Sequence, residues 1–269
     1  QKYGTILDYS LLNQIIKDQE IEIIYHLAAL PLVELGQDSP LQTYQVNING
    51  TLNILEAARA NNIKHLVTVS TAHVYGDNPL LPLLEEYSPK PSRPYETSKA
   101  CADLIAKSYR DSYSLNVDIP RFVNLYGPGD LNFSRIVPKV IKTIINNANP
   151  QLWKSEAVRD FLFIDDATEA LLILCEKSNN KIDDNHIYNF GTRKNIKICD
   201  LAELILQISG NHKLKIDYLD GESSRKNEIL KQYVSIDKAK QELQWQPKTD
   251  IKQGIIKSFS WYRNNLQLL

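Results

Sequence analysis

Two short apolar runs, residues 21–27 (IEIIYHL) and 65–70 (HLVTVS), flank residues 43–60, in which Val46, Leu52, Ile54, Leu55 and Ala58 recur at helical rather than alternating spacing. A strand apolar on successive positions has no polar face to give to water, so it belongs in a sheet covered on both sides. Buried strands joined by helical crossovers are the units of an α/β fold with a doubly wound parallel sheet. The alternation continues: residues 95–113 place Ala102, Ile105 and Ala106 on one helical face, and residues 116–122 read as the next strand. Pro120 removes a ladder donor there, which predicts a bulge or an early strand end.

From about Asn132 the pattern changes to separate helices (134–146, 165–176, 199–209 and 251–264) and short strands (160–164 and 186–190). The expected division is a nucleotide-binding domain over 1–131 and a mainly substrate-binding region over 132–269, some segments of which return to the sheet. Residues 177–185 (KSNNKIDDN) read as a polar surface loop.

Charge excludes several classes of partner. Lys plus Arg number 31 against 32 Asp plus Glu, so no basic field exists to attract nucleic acid, and an anionic ligand must be held by local residues. No apolar run approaches the roughly 18 residues that span a bilayer, and no membrane role is expected. Cys101, Cys175 and Cys199 are scattered, odd in number and without C-x-x-C spacing, which predicts no metal site and a reduced, cytoplasmic setting.

The chemistry-bearing signal is Tyr95-Glu96-Thr97-Ser98-Lys99, a Y-x-x-x-K at a helix start, with Ser70-Thr71 closing a strand 25 residues earlier. Positions four apart share a helix face, which brings the Lys99 ammonium towards the Tyr95 phenol. A nearby cation favours phenolate and lowers a tyrosine from about 10 towards working pH. The pair then acts as a base on a sugar hydroxyl whose oxygen Ser70 or Thr71 holds. A chance Tyr and Lys on a solvated helix start fits the same five residues, so the reading depends on what surrounds them.

The surroundings carry a resemblance. In order come His26-Leu27-Ala28-Ala29, Asn47-Ile48-Asn49-Gly50-Thr51, Ser70-Thr71-Ala72-His73-Val74-Tyr75-Gly76, Tyr95 to Lys99, Arg121-Phe122-Val123-Asn124-Leu125-Tyr126-Gly127-Pro128-Gly129, Arg159-Asp160-Phe161, Asn189-Phe190-Gly191 and residues 237–247 (DKAKQELQWQP). Together these resemble the extended short-chain dehydrogenase/reductases, the NAD-dependent epimerase/dehydratase family that modifies nucleotide sugars. The resemblance implies a Rossmann-type sheet and NAD or NADP as cofactor, NAD being favoured. It further implies a nucleotide-sugar substrate passing through a 4-keto-hexose, and a homodimer built on helices 43–60 and 95–113. By the same resemblance, Tyr95, Lys99 and Ser70 or Thr71 are expected to carry the chemistry. Leu27, Ala28 and Ala29 are expected beside the cofactor, as are Ser70, Tyr95 and Lys99, with Asn47 ordering the site next to the lysine. The resemblance also implies that Asn124, Arg159 and Arg225 grip the diphosphate, which suits an amide and forked guanidiniums. Pro31-Leu32-Val33 and residues 129–138 are most similar to the CDP-glucose 4,6-dehydratase branch.

The chain departs from that family at two places. The Gly-rich turn that meets the cofactor pyrophosphate has no counterpart, since only Gly4 precedes Ile21. Thr5 also stands where the family carries an acidic residue, and the chain has no methionine. The expectation is an N-terminally truncated fragment, lacking the first strand and Gly-rich loop, that binds NAD(P) poorly and is inactive as it stands. Secondly, family dehydratases place an acidic proton donor where this chain has Ala72. His73 is then the candidate acid or base, expected to titrate near neutrality. Ala72 favours a 4-epimerase or 4-ketosugar reductase over a dehydratase, and a catalytically silent NAD(P)-binding regulatory protein is the alternative of another class.

Overall fold

Strands β1 (Ile23–His26), β2 (His65–Thr68), β3 (Ser70–Thr71), β4 (Val117–Phe122) and β8 (Ile187–Phe190) form one parallel sheet. The computed structural model describes residues 1–31, 33–177, 186–219 and 229–268. β1 pairs with β2, and β2 with β4. The register then carries over unbroken from Leu66↔Val117 to Ser70↔Arg121, so β3 continues β2 along one edge of β4. β8 pairs with β4 as well, and with it the second half of the chain returns to the sheet.

Helices cover both faces. On one side α1 (Tyr9–Asp18), α4 (Gly50–Ala60) and α5 (Pro94–Tyr113) pack Ile16, Leu55 and Ala106 against Leu66, Val117 and Ile119. On the other, α7 (Ile164–Lys177) packs Ala167, Ala170 and Leu174 against Val67, Phe122 and Phe190. Leu66 and Val67 are neighbours that face opposite layers, and both are fully buried. That is why the strand reads as an unbroken apolar run. Each such side chain contributes roughly 1.5–3 kcal/mol by leaving water.

The Pro120 expectation needs correction, because β4 runs through it to Phe122 in register with β8. The amides of Ile119 and Val123 donate to β8, at His186 and Phe190. The donor that Pro120 lacks therefore belongs to the opposite edge. There the partner strand breaks at Val69, between β2 and β3.

The helical stretch before α4 starts earlier than the sequence pattern suggests, with α2 (Val33–Asp38), α3 (Pro40–Tyr44) and a widened π-helical turn (Gln45–Asn49) leading into it. A short 3-10 turn (Ala72–Tyr75) follows β3. Beyond β4, a second sheet joins β5 (Asn124–Tyr126), β7 (Val158–Phe163) and β11 (Lys231–Gln232) in parallel, with β9 (Asn195–Lys197) antiparallel to β7. β6 (Gln151–Trp153) pairs with β10 (Asp217–Leu219). Phe161 and Phe163 of β7 meet α6 (Ile136–Ile145), α8 (Ile198–Ser209) and α10 (Ile251–Asn264), while Leu162 faces the first sheet's core. α9 (Asp237–Glu242) packs beside β8. The loop expected at 177–185 lies outside the described residues beyond Lys177, which ends α7. No helix among the described residues is long and apolar enough to cross a membrane, and no group of three or more metal-ligating side chains occurs among them.

Candidate active site

The strand-end hydroxyls and the start of α5 converge at the carboxyl end of the sheet. Thr71 closes β3, and its hydroxyl accepts from the His73 amide at 3.3 Å, capping the 3-10 turn. The same side chain hydrogen-bonds the Tyr95 phenol. One turn along α5, Lys99 Nζ donates to the Val69 carbonyl at 2.5 Å. Val69 donates its own amide to His26, the last residue of β1, so its carbonyl faces the side on which that strand has ended. The ammonium takes the place of the missing ladder partner. Ser70 Oγ is buried without a hydrogen-bond partner.

Asn47 ties a third segment to this centre. Fully buried in the π-helical turn, its amide accepts from Leu30 N at 2.8 Å and donates to Leu30 O at 3.1 Å and Ser98 Oγ at 2.9 Å. Ser98 Oγ in turn donates to the Tyr95 carbonyl. Asn47 thus orders the loop after β1 against α5, in keeping with a positioning role, and its polar atoms are committed to protein. In that loop Leu27 and Ala28 are exposed and Ala29 is half-buried. Small or yielding side chains at an open strand end, beside the unsatisfied Ser70 hydroxyl, fit the nicotinamide part of a dinucleotide. Among the described residues no Gly-rich turn offers backbone amides to its pyrophosphate.

The electrostatics correct two expectations. Tyr95 is not lowered towards neutrality but pushed up to about 12, chiefly by burial, with the Thr71 hydrogen bond and Arg135 pulling it down. Lys99 does not offset this, since its ammonium is spent on the Val69 carbonyl and its own pKa is lowered by burial. His73 does not titrate near neutrality either. Desolvation, then Arg159 and Arg93, lower it to about 4, against a side-chain hydrogen bond with Asn124 that raises it. Its imidazole is neutral at pH 7.

The same influences place the anion-binding candidates. Asn124 on β5, Arg159 on β7 and Arg93 at the start of α5 surround His73. Asn124 Nδ2 also donates to the Asp160 carbonyl at 3.3 Å, and Arg159 Nη1 to its neighbour Val158 O at 3.0 Å. Arg225 lies outside the described residues.

Other motif residues form the frame. Tyr75 Oη donates to Asn189 Oδ1 at 2.8 Å and accepts from Arg121 Nη1 at 2.9 Å, while Arg121 Nε donates to Asp103 Oδ2 at 2.9 Å. All four are buried, so this network locks the turn after β3 to β4, α5 and β8. The Asp160 carboxylate accepts from the amides of Thr192 and Arg193 where Gly191 leaves no side chain in the way.

Sequence reasoning missed Arg93, Glu96 and Arg135. Glu96 carries a legible signal as the third helical residue after the cap, where a carboxylate reaches back to free amides. Its Oε2 accepts from Ser92 N at 3.2 Å and Arg93 N at 3.3 Å. Arg135 pairs with Asp130 at 3.1 Å, and nothing in its spacing connects it to Tyr95.

Comparison with known proteins shows the family and the fold. The family described as GDP-mannose 4,6 dehydratase matches residues 2–258. A human dTDP-D-glucose 4,6-dehydratase is 30% identical over 267 residues, covering 97% of this chain and 74% of that protein. A UDP-glucose 4-epimerase from Thermotoga maritima, solved with UDP-glucose, superposes with a TM-score of 0.90 at 27% identity, covering 98% of this chain and 84% of the other. A dTDP-glucose 4,6-dehydratase from Bacillus anthracis in complex with NAD gives 0.86 at 28%, covering 98% and 80%.

Proposed function

The chain belongs to the GDP-mannose 4,6 dehydratase family of NAD-dependent epimerases and dehydratases, and on that premise we propose that it oxidises C4 of a nucleotide-linked hexose with NAD(P), passing through a 4-keto sugar. The observation that carries this reading is the Tyr95–Thr71 hydrogen bond, with Lys99 one helical turn further along α5 and its ammonium on the carbonyl of Val69, just before Ser70. An oxidised nicotinamide, when bound, supplies the hydride acceptor and a positive charge, which a phenol held near 12 requires to take up its basic form near neutrality. Leu27, Ala28 and Ala29 would hold it at the strand ends.

Thr71 shares its hydrogen bond between the phenol and the sugar oxygen, and Tyr95 receives the hydroxyl proton. Lys99 fixes the strand end against α5. Asn124 and Arg159 hold the diphosphate, and Arg93 adds a second cation on the same side. The 4-keto sugar then loses water or is reduced again. Ala72, buried and without a proton to give, favours re-reduction with inversion as the second reading. The relatives' names divide between the two outcomes.

Residues 1–131 and 132–269 are proposed as the cofactor and substrate regions, in a homodimer formed through α4 and α5, where Leu52, Leu104 and Tyr113 are exposed. The proposed setting is the cytoplasm, in line with three free cysteines. Incubation with NAD and CDP-, UDP-, GDP- and dTDP-glucose, read by mass spectrometry, tests the reading. A 4-keto-6-deoxy product supports the dehydratase, a C4 epimer the epimerase, and NAD(P) binding with no turnover of any sugar points to a silent binding protein.

A further inference from the structure

Two buried acceptor atoms face each other beside Tyr95. His73 Nδ1 and Glu96 Oε1 stand 3.9 Å apart, and neither has a hydrogen-bond partner. That distance is too long for a hydrogen bond, and leaving such atoms unpaired is costly. Glu96 is fully buried, and the Ser92 and Arg93 amides on Oε2 leave Oε1 to the imidazole. His73 keeps 24% of its side chain exposed, its ring edge-on to Tyr95 at 6.4 Å. One member of the pair reaches the site and the other is sealed behind it.

The gap follows from the tautomer. Asn124 gives one amide hydrogen to the Asp160 carbonyl and also hydrogen-bonds the imidazole; since that bond raises the pKa of His73, the imidazole is its donor and Asn124 Oδ1 its acceptor. The imidazole proton then sits on Nε2, and a lone pair on Nδ1 faces the carboxylate.

We propose that Glu96 and His73 form a proton-transfer pair. When a ligand takes up Asn124, the imidazole proton moves to Nδ1 and donates to Glu96 Oε1, and Nε2 becomes an open base beside the sugar. Glu96 is the positioning residue, and His73 meets the substrate. The groups facing the imidazole are Glu96, Tyr95 and Arg93 from α5 and its cap, Asn124 from β5 and Arg159 from β7. An anion held against the two guanidiniums offsets their charge and leaves Glu96 as the dominant influence.

Used this way, and resting on the C4-oxidation reading, the pair supplies what Ala72 lacks. His73 Nε2 takes the proton from the carbon beside the C4 ketone, and the C–H electron pair becomes a C=C bond as the adjacent C–O bond breaks. The same proton passes from Nε2 to the departing hydroxyl, which leaves as water. The pair ends in the state in which it began.

Histidine-selective 15N NMR of the ligand-free chain at pH 7 tests the pair without any turnover, with His73→Gln assigning the signal. His73 is expected as the Nε2–H tautomer, and Asn124→Ala should move it to Nδ1–H. Adding Glu96→Gln to Asn124→Ala should restore Nε2–H, because the amide that replaces Oε1 donates to Nδ1. Adding Glu96→Asp, which keeps the carboxylate, should not. Persistence of Nε2–H in Asn124→Ala, or the same tautomer with Gln and Asp at 96, overturns the pair. During turnover, Glu96→Gln should slow water loss by about 10²-fold or more while slowing hydride transfer at C4 less. Equal slowing of both steps also overturns it. Failure of the Tyr95 chemistry would appear separately, as loss of hydride transfer in the unsubstituted protein.

Discussion

At the scale of single residues, the site divides between groups that meet a ligand and groups that fix them. Thr71 belongs to the first kind, since among the described residues it is the side chain that hydrogen-bonds the Tyr95 phenol. Thr71→Val is expected to lower kcat by roughly 10²-fold, and Ser70→Ala by less; the reverse order, measured on the same sugar, would transfer the role to Ser70. His26 belongs to the second. Buried beside Thr51 Oγ1 at 3.0 Å, it is lowered to about 4 by desolvation, then by Lys99. The unfolded chain, with this histidine at about 6.5, binds more protons below that pH, so stability is full above it and falls as pH drops towards about 4. The loss attributable to His26 is about 3 kcal/mol, and urea melts across that window should show a shallower decline in His26→Gln. The sequence singled out Tyr95, Lys99, Thr71 and Asn47, which the fold brings to one strand end, because hydroxyl, phenol, ammonium and amide have few reasons to recur in that order. It misjudged the pKa of Tyr95 and His73, since desolvation depends on neighbours from β5, β7 and α5 that meet only in the fold.

At the scale of elements, long periodic segments were legible and short ones were not. α5 and α10 begin or end within a residue of the sequence reading, for they bury a continuous face over several turns. β5, β6, β9, β10 and β11 have two or three residues each. Such lengths hold no period to detect, and pairing across the chain creates them. Pro120 was read as a break in β4, whereas its missing donor is absorbed where β2 gives way to β3. The turn that follows depends on Gly76, at φ +60 with the Lys90 carbonyl lying where a Cβ would stand. Gly76→Ala is expected to cost about 1–3 kcal/mol, read as a lower urea midpoint, and to weaken turnover by shifting His73 and Thr71. An unchanged midpoint would show that the turn relaxes freely.

At the scale of the whole molecule, the doubly wound sheet was readable because its strands are apolar on both faces and its crossovers are helices. The return of β8 to the first sheet, and the meeting of Asp160 with the segment after Gly191, joined motifs far apart in sequence into one frame. The proposed dimer predicts that Leu104→Glu, at a position 58% exposed, yields a folded monomer by light scattering where the unsubstituted chain is dimeric. The central claim is that Tyr95 drives oxidation at C4. Nucleotide-linked glucose deuterated at C4 is mixed with NAD, and label appearing on the cofactor is followed by mass spectrometry. The account predicts transfer by the unsubstituted protein and at least about 10²-fold slower transfer by Tyr95→Phe; equal transfer by both would contradict it.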